Sequence, residues 1–238
     1  MESLYLVMPA YNEEENIEKT IRDWYPIVEA RGEDSRLVVA DSGSEDNTHN
    51  ILVKLQQECP KLEILSDTEK QHGPKVIALY KYAIKKNADY IFQTDSDGQT
   101  DPKEFDDAWN LKSEYDGVFG HRKVRGDGKS REKVEKVIAI LLKVIFGIKI
   151  PDANAPFRLM KTSVVGKYIN NLNDDYEIPN IMMTTYFVYY KEKNCFIPVS
   201  FSARKAGKNS INILKIMKIG FRSVIDFIGF RRKMKKER

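Results

Sequence analysis

Short apolar runs alternate along the chain with stretches in which apolar residues recur every three or four positions. The run at 4–8 stops at Pro9, and Asn12 with Glu15 three residues later has the form of a capping box that opens a helix. Ile17, Ile21, Trp24 and Val28 give that helix one apolar face. The unit then repeats: a buried strand at 37–40 ends in Asp41-Ser42-Gly43-Ser44, and Ile51, Leu52 and Leu55 mark an amphipathic helix after it. A strand at 62–65, a helix through Val76, Leu79 and Ala83, and strands at 90–93 and 118–120 continue the alternation. Such a pattern predicts an α/β fold, a mixed and mostly parallel sheet flanked by helices. Ligands of these sheets gather at the carboxyl ends of the strands. Three such ends bring residues 9–13, Asp41 and residues 95–99 to one crevice.

Beyond residue 120 the pattern changes. Residues 121–136 hold seven Lys/Arg, three Asp/Glu and two glycines, the composition of a basic loop that runs into a helix. Residues 134–146 are apolar almost all round. The overall charge of +4 hides an asymmetry, because residues 202–238 hold 12 Lys/Arg against 2 Asp/Glu and leave the remainder net negative. That segment calls for an anionic neighbour, nucleic acid or lipid, and its dense apolar positions, among them Ile211, Leu214, Phe221, Phe227 and Phe230, favour a lipid surface over nucleic acid. The organisation expected is a catalytic domain over 1–201 and a basic amphipathic tail over 202–238. The longest uncharged apolar run in the middle region, 137–142, is far short of a membrane span. Cys59 and Cys195 form no metal or disulfide framework, and the first residues read as a strand rather than a leader, so the expected place is the cytoplasm.

Chemistry concentrates in Thr94-Asp95-Ser96-Asp97-Gly98-Gln99. Carboxylates at i and i+2 on a chain leaving a strand can bring oxygens to one point, which suits Mg²⁺ or Mn²⁺, and Gln99 adds an amide oxygen. The same residues with Gly98 and Pro102 also read as a solvated turn. Glu13 and Asp41 are two carboxylates without evident partners at adjacent strand ends, which favours a ligand-facing role. His49, His72 and His121 are scattered and form no catalytic or metal set. Asp175 and Glu177 read either as a candidate general base or as acidic residues at a helix start.

Six runs, taken in order and interval, resemble family 2 glycosyltransferases of the GT-A fold, and most closely the dolichyl-phosphate mannose synthase group with its bacterial polyprenyl-phosphate relatives. They are Val7-Met8-Pro9-Ala10-Tyr11-Asn12-Glu13, the stretch 39–48, the stretch 94–99, Gly120-His121-Arg122, Phe157-Arg158-Leu159 and the stretch 204–210. The resemblance implies a nucleotide-sugar donor, GDP- or UDP-linked, with Pro9, Tyr11, Glu13, Asp41 and Ser96 about its nucleoside and Lys75 toward its diphosphate. It further implies Mn²⁺ or Mg²⁺ on Asp95, Asp97 and Gln99, and phosphate contacts from Arg122, Arg131, Arg204 and Lys208. Asp97, Glu177 and Arg204 would bear most directly on catalysis. Ser42 stands where the family often has a second aspartate, and the QxxRW run of polymerising members is absent.

Those implications give an inverting hexose transfer to polyprenyl phosphate at the cytoplasmic face of a membrane, peripherally through the tail or through a separate membrane protein. The alternatives are transfer to a hydroxyl of a lipid-linked glycan and an inactive, membrane-recruited binding module. A nucleotidyltransferase would need a Gly-rich loop with Arg after the first strand, and neither GxGxxG nor GxxxxGK[ST] occurs.

Overall fold

The computed structural model describes residues 2–122, 129–203 and 213–236, with the side chains of 129–133 and 213–222 left aside. Strands β1 (Leu4–Ala10), β2 (Arg36–Asp41), β3 (Leu62–Leu65), β4 (Tyr90–Thr94), β5 (Gly117–Arg122), β6 (Phe157–Lys161) and β7 (Asn194–Val199) form one sheet in the order β3-β2-β1-β4-β6-β5-β7. Between and after them lie α1 (Ile17–Glu29), α2 (Thr48–Glu58), α3 (His72–Lys85), α4 (Phe105–Trp109), α5 (Lys129–Phe146), α6 (Thr162–Tyr168), α7 (Pro179–Tyr189) and α8 (Ile213–Lys236). Strands β1 to β4 pair in parallel, as do β5 and β7, while β6 runs antiparallel to both neighbours. The mixed, mostly parallel α/β sheet expected from the alternation is therefore present.

Apolar residues on the strands alternate between two helical layers because successive side chains point to opposite faces. On one face Phe92 meets Trp24, Phe105 and Phe157 at ring-centroid distances of 5.4, 4.9 and 4.8 Å. On the other, Ile91 and Phe119 pack with Tyr80, Phe187, Phe146 and Phe227. Phe227 and Met234 of α8 are buried in that second layer, and the Phe146 and Phe227 rings cross at 5.9 Å, so α8 lies along α5.

Strand β1 is followed by β2 on one side of it, and the chain returns through α3 to place β4 on the other. A crevice opens above β1 and β4 at this reversal of strand order, the location where open α/β sheets bind ligands. The reversed course of β6 puts its first residue on the same rim, so the segment 152–156 also reaches the crevice.

Candidate active site

The chain leaves β1 through Asn12, which adopts φ +53°. Its Oδ1 accepts from the Glu45 amide at 2.8 Å and its own amide donates to Ser44 Oγ at 3.1 Å. The capping-box expectation is thus corrected: α1 begins only at Ile17, and Asn12 fastens the β1 exit to the β2 exit. Glu13 is buried, accepting from Asn16 Nδ2 at 2.9 Å, and its amide donates to Thr48 Oγ1 at 2.8 Å. Asp41, 2% exposed, accepts from Ser44 Oγ at 2.5 Å, and its other oxygen lies 3.0 Å from His49 Nδ1. The two carboxylates therefore have partners, contrary to expectation; those partners fix their orientation.

Tyr11 lies beneath two ammonium groups, Lys70 at 4.8 Å and Lys75 at 5.4 Å from its ring centroid, and Lys70 also pairs with Glu45 at 2.6 Å. Lys75 differs from its sequence reading as a diphosphate contact. It is 1% exposed, and its ammonium donates to the Ala10 carbonyl at 2.5 Å and the Ser42 carbonyl at 2.9 Å, bridging the exits of β1 and β2. Burial pushes its pKa down to about 8. Ser96 is buried as well, its hydroxyl donating to the Pro9 carbonyl at 2.8 Å, which ties the β4 exit to β1.

Asp95 and Asp97 both reach the crevice surface, the Asp95 side chain being 28% exposed. Oδ1 of Asp95 takes His72 Nε2 at 3.1 Å and Gln93 Nε2 at 3.4 Å, and Oδ1 of Asp97 takes the Gln99 amide at 3.2 Å. Among the described residues no three His, Cys, Asp or Glu side chains cluster as a closed metal site. Two adjacent carboxylates suit a hard divalent ion that completes its shell with phosphates and water. Gln99 is buried: its side-chain nitrogen donates to the Ser202 carbonyl at 2.7 Å, a bond that does not use the amide oxygen expected at the ion, and the Ser202 amide returns a bond to the Gln99 carbonyl at 2.9 Å.

Arg122 ends β5 on the same rim, but its guanidinium fork closes on Asp152 at 2.7 and 2.8 Å rather than standing open to phosphate. The Phe201 ring lies 4.9 Å from it and Glu135 of α5 is 3.8 Å away. A buried fork held by two parallel charge-assisted bonds is a structural clamp. The Arg131 side chain, Arg204 and Lys208 lie outside the described residues.

Glu177 is exposed on the turn before α7, whose N-cap is the apolar Ile178. The turn is pressed onto the first turn of α3: a Cβ at Gly73 would stand 2.3 Å from the Tyr176 carbonyl and 2.5 Å from that of Glu177. Next to Gly73 is His72, the partner of Asp95. Sequence reading set His49 and His72 aside; both touch site carboxylates, a fact carried by the fold and by no motif. It also gave no role to Asp152, a single acidic residue in an unpatterned stretch.

A family model described as "Glycosyl transferase family 2" matches residues 5–169. Curated relatives include the undecaprenyl-phosphate 4-deoxy-4-formamido-L-arabinose transferases of Salmonella paratyphi B and Salmonella newport, each 22% identical over 217 residues. The match takes in 90% of this chain and 64% of theirs, so the chain spans less than two thirds of the length of these relatives. The fold is shared with glucosyl-3-phosphoglycerate synthase from Mycobacterium tuberculosis, solved with UDP (TM-score 0.67, 17% identity, 96% of this chain and 80% of that one). It is also shared with the same enzyme solved with Mn²⁺, UDP-glucose and glycerol 3-phosphate (TM-score 0.66, 19% identity, 97% and 80%). The sheet is thus of the GT-A type. The matched span contains the exits of β1, β2 and β4 that build the crevice, and with well over half of its length matched the chain belongs to glycosyl transferase family 2.

Proposed function

We propose that this protein is a divalent-ion-dependent glycosyltransferase that moves a hexose from a GDP- or UDP-sugar to a polyprenyl phosphate, with inversion, at the cytoplasmic surface of a membrane. The observation that carries this reading is the convergence of Tyr11, Asp41, Asp95 and Asp97 on one crevice at the strand reversal of a family 2 chain. Asp41, held by Ser44 and His49, offers an oriented carboxylate to a base N–H or a ribose hydroxyl, with Pro9, Tyr11 and Glu13 beside it. Lys75 and Ser96 serve the nucleoside indirectly, by joining the strand exits that frame it.

Asp95, Asp97 and the Gln99 amide oxygen would hold Mn²⁺ or Mg²⁺, which would neutralise charge on a departing diphosphate. Arg131, Arg204 and Lys208 are the cations assigned to donor or lipid phosphate. An acceptor phosphate is already an anion and needs no base, and the Salmonella relatives are transferases named for undecaprenyl phosphate. One observation favours a second reading with a hydroxyl acceptor: Glu177 is an exposed carboxylate on a turn locked beside His72 and Asp95, as a general base would be.

A membrane face is also part of the proposal. Val137, Ile140 and Val144 of α5 and Ile225 and Ile228 of α8 stay exposed on adjacent helices, next to the exposed Lys136, Lys143, Arg232, Lys235 and Lys236. No helix among the described residues is long and apolar enough to cross a bilayer. Apolar side chains rimmed by cations suit an anionic headgroup layer.

The test is incubation with a panel of GDP- and UDP-hexoses, Mn²⁺, and either polyprenyl phosphate or a lipid-linked glycan. Label on the phosphate supports the first reading and label on the glycan the second. Asp97→Asn is expected to lower turnover by about a hundredfold or more by weakening the ion's hold. A wild-type rate in that variant would refute the metal assignment.

A further inference from the structure

Beneath the crevice lies a set of polar side chains that motif and composition leave unexplained. Gln93 and Arg158 sit directly opposite one another on β4 and β6, Arg158 between Phe157 and Leu159 and Gln93 between Phe92 and Thr94, and each is almost wholly buried. The Arg158 guanidinium, 1% exposed, donates to the carbonyls of Ala153 at 3.3 Å, Ala155 at 3.1 Å and Asn180 at 3.0 Å, lies 5.6 Å from the Phe119 ring centroid, and also interacts with the Tyr80 hydroxyl and the charges of Asp95 and Asp152. Tyr80 Oη lies 3.2 Å from both Gln93 Oε1 and Asn180 Oδ1, and can donate to one of them at a time. Gln93 Nε2 in turn reaches Oδ1 of Asp95. Asn180 is the second residue of α7, three positions after Glu177.

These contacts make one continuous path from the ion-facing carboxylate, through the core, to the turn on the acceptor side. Buried polar groups of this kind add little to stability compared with well-packed apolar ones, and a partly satisfied network is a liability. Their geometry does constrain direction. Gln93 acts on the same Asp95 oxygen as His72, which sets the carboxylate's rotation, and Arg158 fixes the backbone of 153–155 against α7.

We infer that Tyr80, Gln93, Arg158 and Asn180 are positioning residues, which hold the Asp95 carboxylate and the Glu177 turn in fixed relation across the crevice. The inference rests on the proposed reading of Asp95 as an ion ligand. It concerns residues that touch neither donor nor acceptor.

The experiment is a Mn²⁺ titration of the full chain in the presence of UDP and, separately, GDP, with bound Mn²⁺ read by electron paramagnetic resonance. Tyr80→Phe keeps the ring and removes one oxygen, Gln93→Met keeps the volume and removes the amide, and the double variant tests whether they act in series. Partners that orient metal ligands typically change metal affinity by about 10–100-fold when lost. Half-saturating Mn²⁺ is therefore expected to rise by about tenfold in Gln93→Met and by a smaller, several-fold factor in Tyr80→Phe, with the double variant no worse than Gln93→Met alone. Val165→Ala, a cavity in the same core layer, is expected to lower Tm and leave the Mn²⁺ midpoint unchanged.

Wild-type midpoints in the single variants, or independent effects that multiply in the double, would overturn the inference while leaving the proposed function standing. A wild-type protein that binds neither nucleotide in a Mn²⁺-dependent way would overturn the proposed function, and this inference with it. Should Gln93→Met not fold, Tyr80→Phe alone decides: an unchanged midpoint rejects the network and a raised one supports it.

Discussion

Lys75 keeps an ammonium in a nearly dry place, between two carbonyls that belong to different strand exits. Desolvation lowers its pKa to about 8, well under the ordinary lysine value of 10.5. The sign of the consequence is fixed by linkage. Above about pH 8 the folded protein releases this proton while the unfolded chain keeps it, so the unfolded state binds more protons and stability rises with pH until the unfolded lysine also titrates. Relative to Lys75→Met, the wild-type protein is expected to gain stability between about pH 8 and pH 10, by an amount of order 1–3 kcal/mol, measured by urea unfolding at matched ionic strength. Parallel curves for the two proteins would show that the lysine is not desolvated. At this scale the sequence was most legible where spacing alone defines chemistry: Asp95 and Asp97 emerge from a strand two residues apart, and the structure leaves both at the surface of the crevice. It was least legible where a residue's partner comes from another element. Asn12 has the spacing of a helix cap yet serves a left-handed turn bonded 33 residues away, and Arg122 has phosphate chemistry yet meets Asp152.

Helix α3 joins the β4 exit to the turn before α7, because its first turn carries His72 toward Asp95 and receives the Tyr176–Glu177 backbone at Gly73. The approach is one that only a residue without a side chain permits. Gly73→Ala places a methyl inside that backbone, and overpacking of this kind costs about 1–3 kcal/mol while displacing the turn. The expected outcome is a lowered Tm together with a larger loss of turnover than of nucleotide affinity, checked by thermal unfolding and by UDP or GDP titration; equal losses would show that the turn plays no part on the acceptor side. Elements β1 to β4 and the helices between them were readable because each has one clean period, two for strands and three to four for helices. Strand β6 escaped because Arg158 interrupts its apolar run, and β7 because it is half-buried and holds Pro198. Helix α7 escaped for the opposite reason: it is buried on nearly every side, so no polar face marks its period.

At the scale of the whole molecule, five of the six exposed large apolar side chains among the described residues lie on the paired α5 and α8, the sixth being Val53 of α2. Val144 is 76% exposed and Ile140 62%, values that leave most of each side chain available to a bilayer. Sedimentation with vesicles containing anionic lipid is expected to pull down the wild-type chain. The pair Ile140→Glu and Val144→Glu is expected to weaken that binding at least tenfold with little change in Tm, since both positions already face water. Retained binding would move the membrane contact elsewhere. The sequence anticipated cationic, apolar helices in these two stretches; what it could not supply was their adjacency, which arises from Phe146 meeting Phe227 and from Arg231 reaching the Ile145 carbonyl.

The common direction of β1 to β5 and β7 has one more consequence. Every strand exit that carries chemistry lies on one rim, and the opposite rim is occupied by fasteners: Lys61 gathers the carbonyls of Val28, Arg31 and Gly32 at 3.1 Å, and Asp89 accepts from the Ser3 amide at 2.7 Å. Evolution and the engineer thus have separate workspaces on the same sheet. A fluorophore or an inserted partner module at the exposed Glu33–Asp34 turn or at Asn87 sits a full strand length from the crevice, where it can report on the enzyme without entering its chemistry.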